Sequence, residues 1–297
     1  MRIALTGATG FVGRAMAREL AGRGHHLTCL VRSDPRPGQL PAEGVTVARG
    51  DILSPDSLAR AFEDCDAVVH LVGIIRESSR ASFEAVHVLG TDNVLEAAAA
   101  CGVRRIVHMS AAGTRPGAAS RYHQSKWRAE EAARASGLEW TILRPSLIFG
   151  KGDGFTTMLI DLVRKAPVVP VIGSGRNLFQ PIAVEDVCNA FAACLEDAAA
   201  MAGNTFELGG PERLSFETIL RVIAGRMKSR KPFVHVPAAL MRLLSGTMSS
   251  VTSRFPLTPD QLIMLGEDNI AEPNHAVEAL HLPLTPFAEG LDRILAP

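Results

Sequence analysis

Tyrosine is almost absent from this chain: Tyr122 is the single one in 297 residues, beside two tryptophans. Charge of either sign in excess is absent too. Lys and Arg number 31 and Asp and Glu 31, a formal net charge of +0. That balance gives no basic face for nucleic acid and no field for an acidic surface. No apolar run reaches the ~18 residues that span a bilayer. The five cysteines (Cys29, Cys65, Cys101, Cys188 and Cys194) are odd in number and scattered. None forms a CxxC, and the nine histidines do not cluster with metal-ligand spacing, so no metal is expected. Reduced thiols in a cytoplasmic protein fit this usage. The N-terminus reads as a strand with a cofactor motif rather than a signal peptide. There is no internal repeat and no low-complexity tract.

What the chain does have starts at Ile3. The stretch IALTGATGFVG is a short apolar strand entering a glycine-spaced turn and then an amphipathic helix with Val12, Met16 and Leu20 at i, i+4 spacing. Gly7 permits the tight turn, Gly10 lets backbone approach a pyrophosphate, and Gly13 lets the helix pack close to the sheet. Thr9, Phe11 and Val12 complete the turn, whose helix end offers N–H groups and a positive dipole to phosphates.

Apolar runs then alternate with helical patterns, which predicts a doubly wound parallel α/β sheet of Rossmann type. Strands are expected at Arg2–Leu5, His26–Val31, Thr46–Arg49, Ala67–Leu71, Arg105–Met109 and Trp140–Leu143. Helices are expected to begin near Gly13, Ser54, Ser82, Tyr122 and Gly154, with Gly102 and Gly137 as stops. Later, Val171–Arg176 reads as a loop, Glu185–Asp197 as a helix and Asn204–Leu208 as a strand returning to the sheet. The expected division is a dinucleotide-binding domain of 1–150 and 178–212, and a small, mostly helical lobe of 151–177 and 213–297. A substrate would sit in the cleft between them.

The second strand ends at Val31-Arg32, where NAD enzymes commonly place an acid for the ribose 2′-hydroxyl. A cation there, with Arg14 nearby, favours NADP(H) over NAD(H), because guanidinium and phosphate make charge-assisted bonds. Asp51, followed by Ile52, either accepts from the adenine amino group or closes a helix-capping loop. Leu71, Val72 and Gly73 lie where backbone passes close to a cofactor. Tyr122 and Lys126 share one helix face at i, i+4. Acid–base work at neutral pH needs the phenol pulled down from its usual ~10, about 4 kcal/mol of help. A nearby ammonium and the nicotinamide charge would supply it. Ser110, at the end of the fifth strand, is the third candidate catalytic group.

These motifs carry a resemblance. TGATGFVG, the YxxxK pair and Leu143-Arg-Pro-Ser-Leu-Ile-Phe-Gly150 resemble extended and atypical short-chain dehydrogenases/reductases, the epimerase/dehydratase-like group. The stretches VHLVGII (69–75), FEAVHVLGTDNVLEA (83–97), HMSAA (108–112), FQPIAVED (179–186) and LTPDQL (257–262) resemble one branch. It contains the NAD(P)H-binding accessory subunit of respiratory complex I and its bacterial relatives. The resemblance implies bound NADP(H) and a role near quinone metabolism or respiratory-complex assembly. It also implies a membrane-associated or respiratory-complex partner, and a place peripheral to the inner face of a membrane. Reductases of the superfamily carry a Ser or Thr near the substrate carbonyl and an Asn in the fourth-helix region. Here the Ser position is Ser110 or has become Ala112, and the Asn position is His87, a packed or proton-relaying histidine. Three functions follow. One is an NADP(H)-dependent oxidoreductase on an unknown small molecule. Another is a non-catalytic cofactor-bound assembly or redox-sensing module. The third is a nucleotide-sugar epimerase or dehydratase. The Met- and Leu-rich segment 238–265 reads as core, or as a face for an isoprenoid chain, a membrane or a partner.

Overall fold

The computed structural model describes residues 1–237 and 258–296. Its centre is a seven-stranded, wholly parallel sheet. The strands are β1 (Arg2–Thr6), β2 (His26–Val31), β3 (Val45–Arg49), β4 (Ala67–His70), β5 (Arg105–Met109), β6 (Glu139–Pro145) and the returning strand Asn204–Leu208. The returning strand lies at one edge, followed by β6, β5, β4, β1, β2 and β3. The Rossmann-type reading therefore holds. Strand order reverses between β1 and β4, the switch point where open α/β sheets bind ligands beyond the carboxyl ends of the strands.

Residues Ala67–His70 of β4 are all buried, as expected for a strand covered on both faces. The core on one face joins Ala4, Val68, Ile106 and Ile142 from the sheet to helix residues. Those helices are α2 (Pro55–Phe62), α3 (Gly90–Ala100) and α4 (Arg121–Ala135). On α1 (Phe11–Gly22), Val12, Met16 and Leu20 are buried as the i, i+4 stripe requires. The expected stops hold as well: Gly102 and Gly137 adopt φ of +73° each, the left-handed conformation that glycine takes cheaply.

Two local expectations are corrected. The helix expected from Ser82 opens as a π-helical turn, Glu84–Leu89, before becoming α3. The loop expected at Val171–Arg176 loses its first residues to a strand, Val169–Ile172, which pairs with Phe233–Val236. The pairing brings together segments more than sixty residues apart, so no local pattern announces it.

The chain divides into two compact units. Met1–Pro145, Val184–Leu208 and Pro273–Pro283 make the first; the described parts of Ser146–Ala183, Gly209–Glu272 and Leu284–Pro297 make the second. Within the second, α5 (Gly154–Lys165) and the helix Phe216–Arg226 pack Leu159, Val163, Phe216 and Ile219 around Phe149 and Phe179. Gln180 is buried there, its amide donating to the Gly210 carbonyl at 2.8 Å and accepting from the Ala271 N–H at 3.0 Å. In the LTPDQL stretch, Thr258 and Gln261 form a capping box ahead of the helix Pro259–Leu265, so these residues start a helix. Of the Met- and Leu-rich segment, residues 238–257 lie outside the described residues.

Candidate active site

The site is assembled entirely within the first unit. Gly7 has φ +80°, which side chains rarely adopt. A Cβ at Gly13 would collide with the Gly7 carbonyl, whereas one at Gly10 would lie 3.2 Å from that oxygen. Gly13 is thus required by packing and Gly7 by conformation. Internal packing demands much less at Gly10. Gly10 is the N-cap of α1 and gives no side-chain cap, so the first-turn amides of Phe11, Val12 and Gly13 keep the donor capacity that a helix start leaves over. These residues fit a dinucleotide pyrophosphate, an uncapped helix end behind a glycine.

Past β2 lies a cavity of about 640 Å³ lined by Thr9, Arg14, Arg18, Asp34, Arg36 and Gln39, among others. Arg14 and Gln39 both donate to the Thr9 carbonyl at 3.1 Å, which folds the 36–39 loop over the glycine turn. Arg32 is exposed and does not line this cavity. Asp34 pairs with Arg49 at 2.8 Å, with side chains 74% and 66% exposed, a pair worth ~0–1 kcal/mol. Arg18 and Arg36 escaped the sequence reading. Their only signal is that Arg18 follows Arg14 by one helical turn.

At the next strand end, Asp51 Oδ1 accepts from the Leu53 N–H at 3.0 Å, and the Asp51 N–H donates to Ser57 Oγ at 3.0 Å. These bonds close the loop ahead of α2. Ile52 is buried against Gly90. Beyond β4, the Leu71 carbonyl carbon and the Val72 nitrogen would stand 3.1 and 3.2 Å from a Cβ on Gly7. The β4 exit and the glycine turn thus close on each other at the switch point.

The third part hangs on α4, which Ser120 caps by accepting from the His123 N–H at 3.1 Å. Tyr122, Lys126, Glu130 and Arg134 follow at i, i+4 steps along one stripe. Lys126 is 2% exposed and its Nζ donates to the Met109 carbonyl at 2.9 Å. Burial lowers it to about 8, opposed by the charge of Glu130. The half-buried Tyr122 ring stands edge-on to Phe83, His87 and His123 with centroids 5.9, 5.4 and 5.2 Å away. Burial pushes its phenol up to about 12, opposite to the downward pull expected from the sequence. Desolvation is the cause of the rise.

Ser110 faces elsewhere. Its Oγ donates to Glu130 Oε1 at 2.5 Å. Glu130 is fully buried and also receives Arg144 through two bonds, 2.8 and 2.6 Å, and Arg134 at 2.7 Å. Ala112 offers an apolar side chain, with its N–H donating to the Pro145 carbonyl at 2.9 Å. His87 is bonded to the Ile74 N–H and to Ser125. Burial and the Lys126 charge drive it down to about 2. His70 is stacked on His108 at 5.2 Å, and burial lowers both. Of these rings His87 stands beside the Lys126 ammonium: a Cβ on Gly73 would lie 3.4 Å from His87 Nε2 and 3.2 Å from Lys126 Nζ. Among the described residues no group of His, Cys, Asp or Glu is arranged to hold a metal ion.

The comparisons with known proteins agree with a dinucleotide-binding fold. A family model described as NAD(P)H-binding matches residues 7–197. A ceramide reductase of Caulobacter vibrioides is 32% identical over 297 residues, 97% of this chain and 88% of that one. Subunit 9 of the NADH dehydrogenase [ubiquinone] 1 alpha subcomplex of Arabidopsis thaliana, a mitochondrial protein, is 29% identical over 271 residues, 89% of this chain and 67% of that one. A UDP-glucuronic acid 4-epimerase from Bacillus cereus, solved with UDP-glucuronic acid and NAD, shares the fold with TM-score 0.77 at 19% identity, over 99% of each chain.

Proposed function

This chain belongs to the NAD(P)H-binding family, and from that premise we propose that it is an NADPH-preferring oxidoreductase that reduces a carbonyl. One observation carries the reading: Tyr122 and Lys126 lie one turn apart on α4, with the Lys126 ammonium at the β4 exit and the end of β5. Bound there, the dinucleotide supplies hydride. The protein supplies the rest. Gly7, Gly10 and the first turn of α1 would hold the pyrophosphate, and Lys126 the nicotinamide ribose. Tyr122, which keeps its proton at neutral pH, would donate that proton to the carbonyl oxygen. The Arg14, Arg18 and Arg36 cavity supports preference for a 2′-phosphate. The 32% identical ceramide reductase points to a lipid-like carbonyl compound as the substrate class.

A second reading has its own observation. The Ser110 hydroxyl is engaged by Glu130 and Ala112 is apolar, so the usual carbonyl-orienting hydroxyl is spoken for. This favours a cofactor-bound accessory module like the complex I subunits. It would bind a membrane-associated partner; no helix among the described residues is long and apolar enough to cross a membrane.

NADPH oxidation against a panel of long-chain ketones, aldehydes and quinones separates the two. The oxidoreductase reading expects turnover that Tyr122→Phe removes while dinucleotide affinity stays within about threefold, because only a hydroxyl is lost. Tight dinucleotide binding with no turnover on any carbonyl favours the module. Turnover that survives Tyr122→Phe rules out the assigned proton donor.

A further inference from the structure

We infer that His87 is a positioning residue, a non-titrating strut that fixes the exit turn of β4 to the Tyr122–Lys126 face of α4. The inference rests on the dinucleotide-binding reading of that face.

The hydrogen bonds have one possible polarity. The Ile74 N–H donates to His87 Nε2 at 2.9 Å. A backbone amide only donates, so Nε2 accepts and the ring proton is on Nδ1. Nδ1 is 2.8 Å from Ser125 Oγ, and the Ser125 hydroxyl donates to the Tyr122 carbonyl at 2.7 Å. Amide, imidazole, hydroxyl and carbonyl form a chain in which each member donates to the next. A second proton on the ring would face the Ile74 N–H head-on, so a relay through His87 has to break the chain it belongs to.

Packing brings the parts of the strut together. A methyl group on Gly73 would lie 3.2 Å from Lys126 Nζ and 3.4 Å from His87 Nε2. The β4 exit, the π-helical turn and α4 therefore meet at one point. His87 is 1% exposed. Phe83 stacks on its ring at 5.4 Å and 23°, and Tyr122 stands edge-on at 5.4 Å and 83°. The π-helical turn that carries His87 has the wider geometry often found at functional sites. Released from His87, the Gly73–Ile74 backbone is free to shift against Lys126, and both would border the bound dinucleotide.

Two substitutions dissect the strut, because they copy different ring atoms. His87→Gln carries an amide oxygen out to the Nε2 position and keeps an acceptor for Ile74. His87→Asn reaches only the Nδ1 position and keeps the Ser125 side. The full chain is titrated with NADPH and NADH by calorimetry, with thermal unfolding as the folding control and kcat and KM measured on any carbonyl that turns over. The strut predicts that His87→Asn weakens dinucleotide affinity about tenfold, the scale of one lost buried hydrogen bond. His87→Gln is predicted to stay within about threefold of wild type. A proton relay predicts no such order, since neither amide titrates and both variants lose kcat alike with affinity kept. That result, equal loss of affinity in both, or no change in either, overturns the strut. The affinity comparison needs no turnover. A chain that binds NADPH and reduces nothing defeats the oxidoreductase reading and leaves the strut to be judged on the Gln–Asn order.

Discussion

The Lys126 ammonium donates to the Met109 carbonyl at 2.9 Å, so a buried cation is held by a backbone dipole at the end of β5. Burial lowers it from its ordinary 10.5 to about 8. A lowered lysine means that the folded chain binds fewer protons than the unfolded chain between those values. Stability therefore rises with pH from about 8, until Tyr122, held above its ordinary 10.0, reverses the slope. The ammonium is what the nicotinamide ribose would meet, so dinucleotide affinity is expected to fall over the same interval. Urea unfolding and calorimetry from pH 7 to 10 check both. A Lys126→Met variant should lose the rise in stability and the pH dependence of binding; an unchanged decline of affinity in that variant counts against the assignment.

The Ser110–Glu130 pair sorts a structural hydroxyl from a substrate-facing one. Ser110→Ala removes one of four bonds to Glu130, an expected cost of about 1–3 kcal/mol. Glu130→Gln leaves Arg144 and Arg134 facing a neutral amide, with an expected cost of about 3–5 kcal/mol. Denaturant unfolding measures both. If turnover is found, Ser110→Ala should leave kcat within about fivefold of wild type, since the hydroxyl is turned to the carboxylate; a loss of about 100-fold or more would return it to the carbonyl, on the scale of a lost oxyanion donor.

The fold was largely legible and the site only in part, for physical reasons. Parallel strands are buried on both faces, so the apolar centres of Ala67–His70 and Arg105–Met109 stand out whatever their partners. The pair Leu178–Phe179 with Leu214–Ser215 has two residues a side, too few for any period to register. The π-helical turn Glu84–Leu89 reads as ordinary helix, since a single wider turn leaves no period of its own. At the site, the glycine turn and the Tyr122–Lys126 step are local spacings that a sequence displays. The partner of Ser110 is not local: Glu130 and Arg144 reach it only after β5, α4 and β6 are assembled. The same holds for cation choice past β2. Arg32 looks placed by its strand, but the fold of the 33–39 loop brings Arg36 to the cavity instead.

That loop makes the cofactor preference testable at single residues. With three guanidinium groups lining the cavity and Arg32 outside its lining, Arg14→Ala or Arg36→Ala should weaken NADPH binding about tenfold to a hundredfold. NADH affinity should move little, since it lacks the 2′-phosphate. The NADPH preference should also shrink as salt rises. An effect of Arg32→Ala larger than either would move the phosphate to the strand end. Equal NADPH and NADH affinities in wild type would remove the preference altogether.

The two glycines at the start of α1 separate folding from binding within one turn. Gly13 sits against the Gly7 carbonyl, and any side chain there collides with backbone. Gly13→Val should thus distort the β1–α1 junction and cost several kcal/mol, on the order of an overpacked core or more. It should depress the unfolding midpoint with or without dinucleotide. Gly10 has φ −72°, which any residue adopts, and a Cβ there meets only the Gly7 oxygen at 3.2 Å. Gly10→Val should therefore fold, with a thermal midpoint within a few degrees of wild type. Its branched side chain would nonetheless stand over the first-turn amides where the pyrophosphate is to lie, so dinucleotide affinity should fall by about 100-fold or more, the loss of two or more charge-assisted bonds. The stabilisation that NADPH gives wild type should disappear with it. Midpoints of the three proteins, each with and without NADPH, decide the matter. If Gly10→Val is still stabilised by NADPH as wild type is, the dinucleotide does not cross this turn.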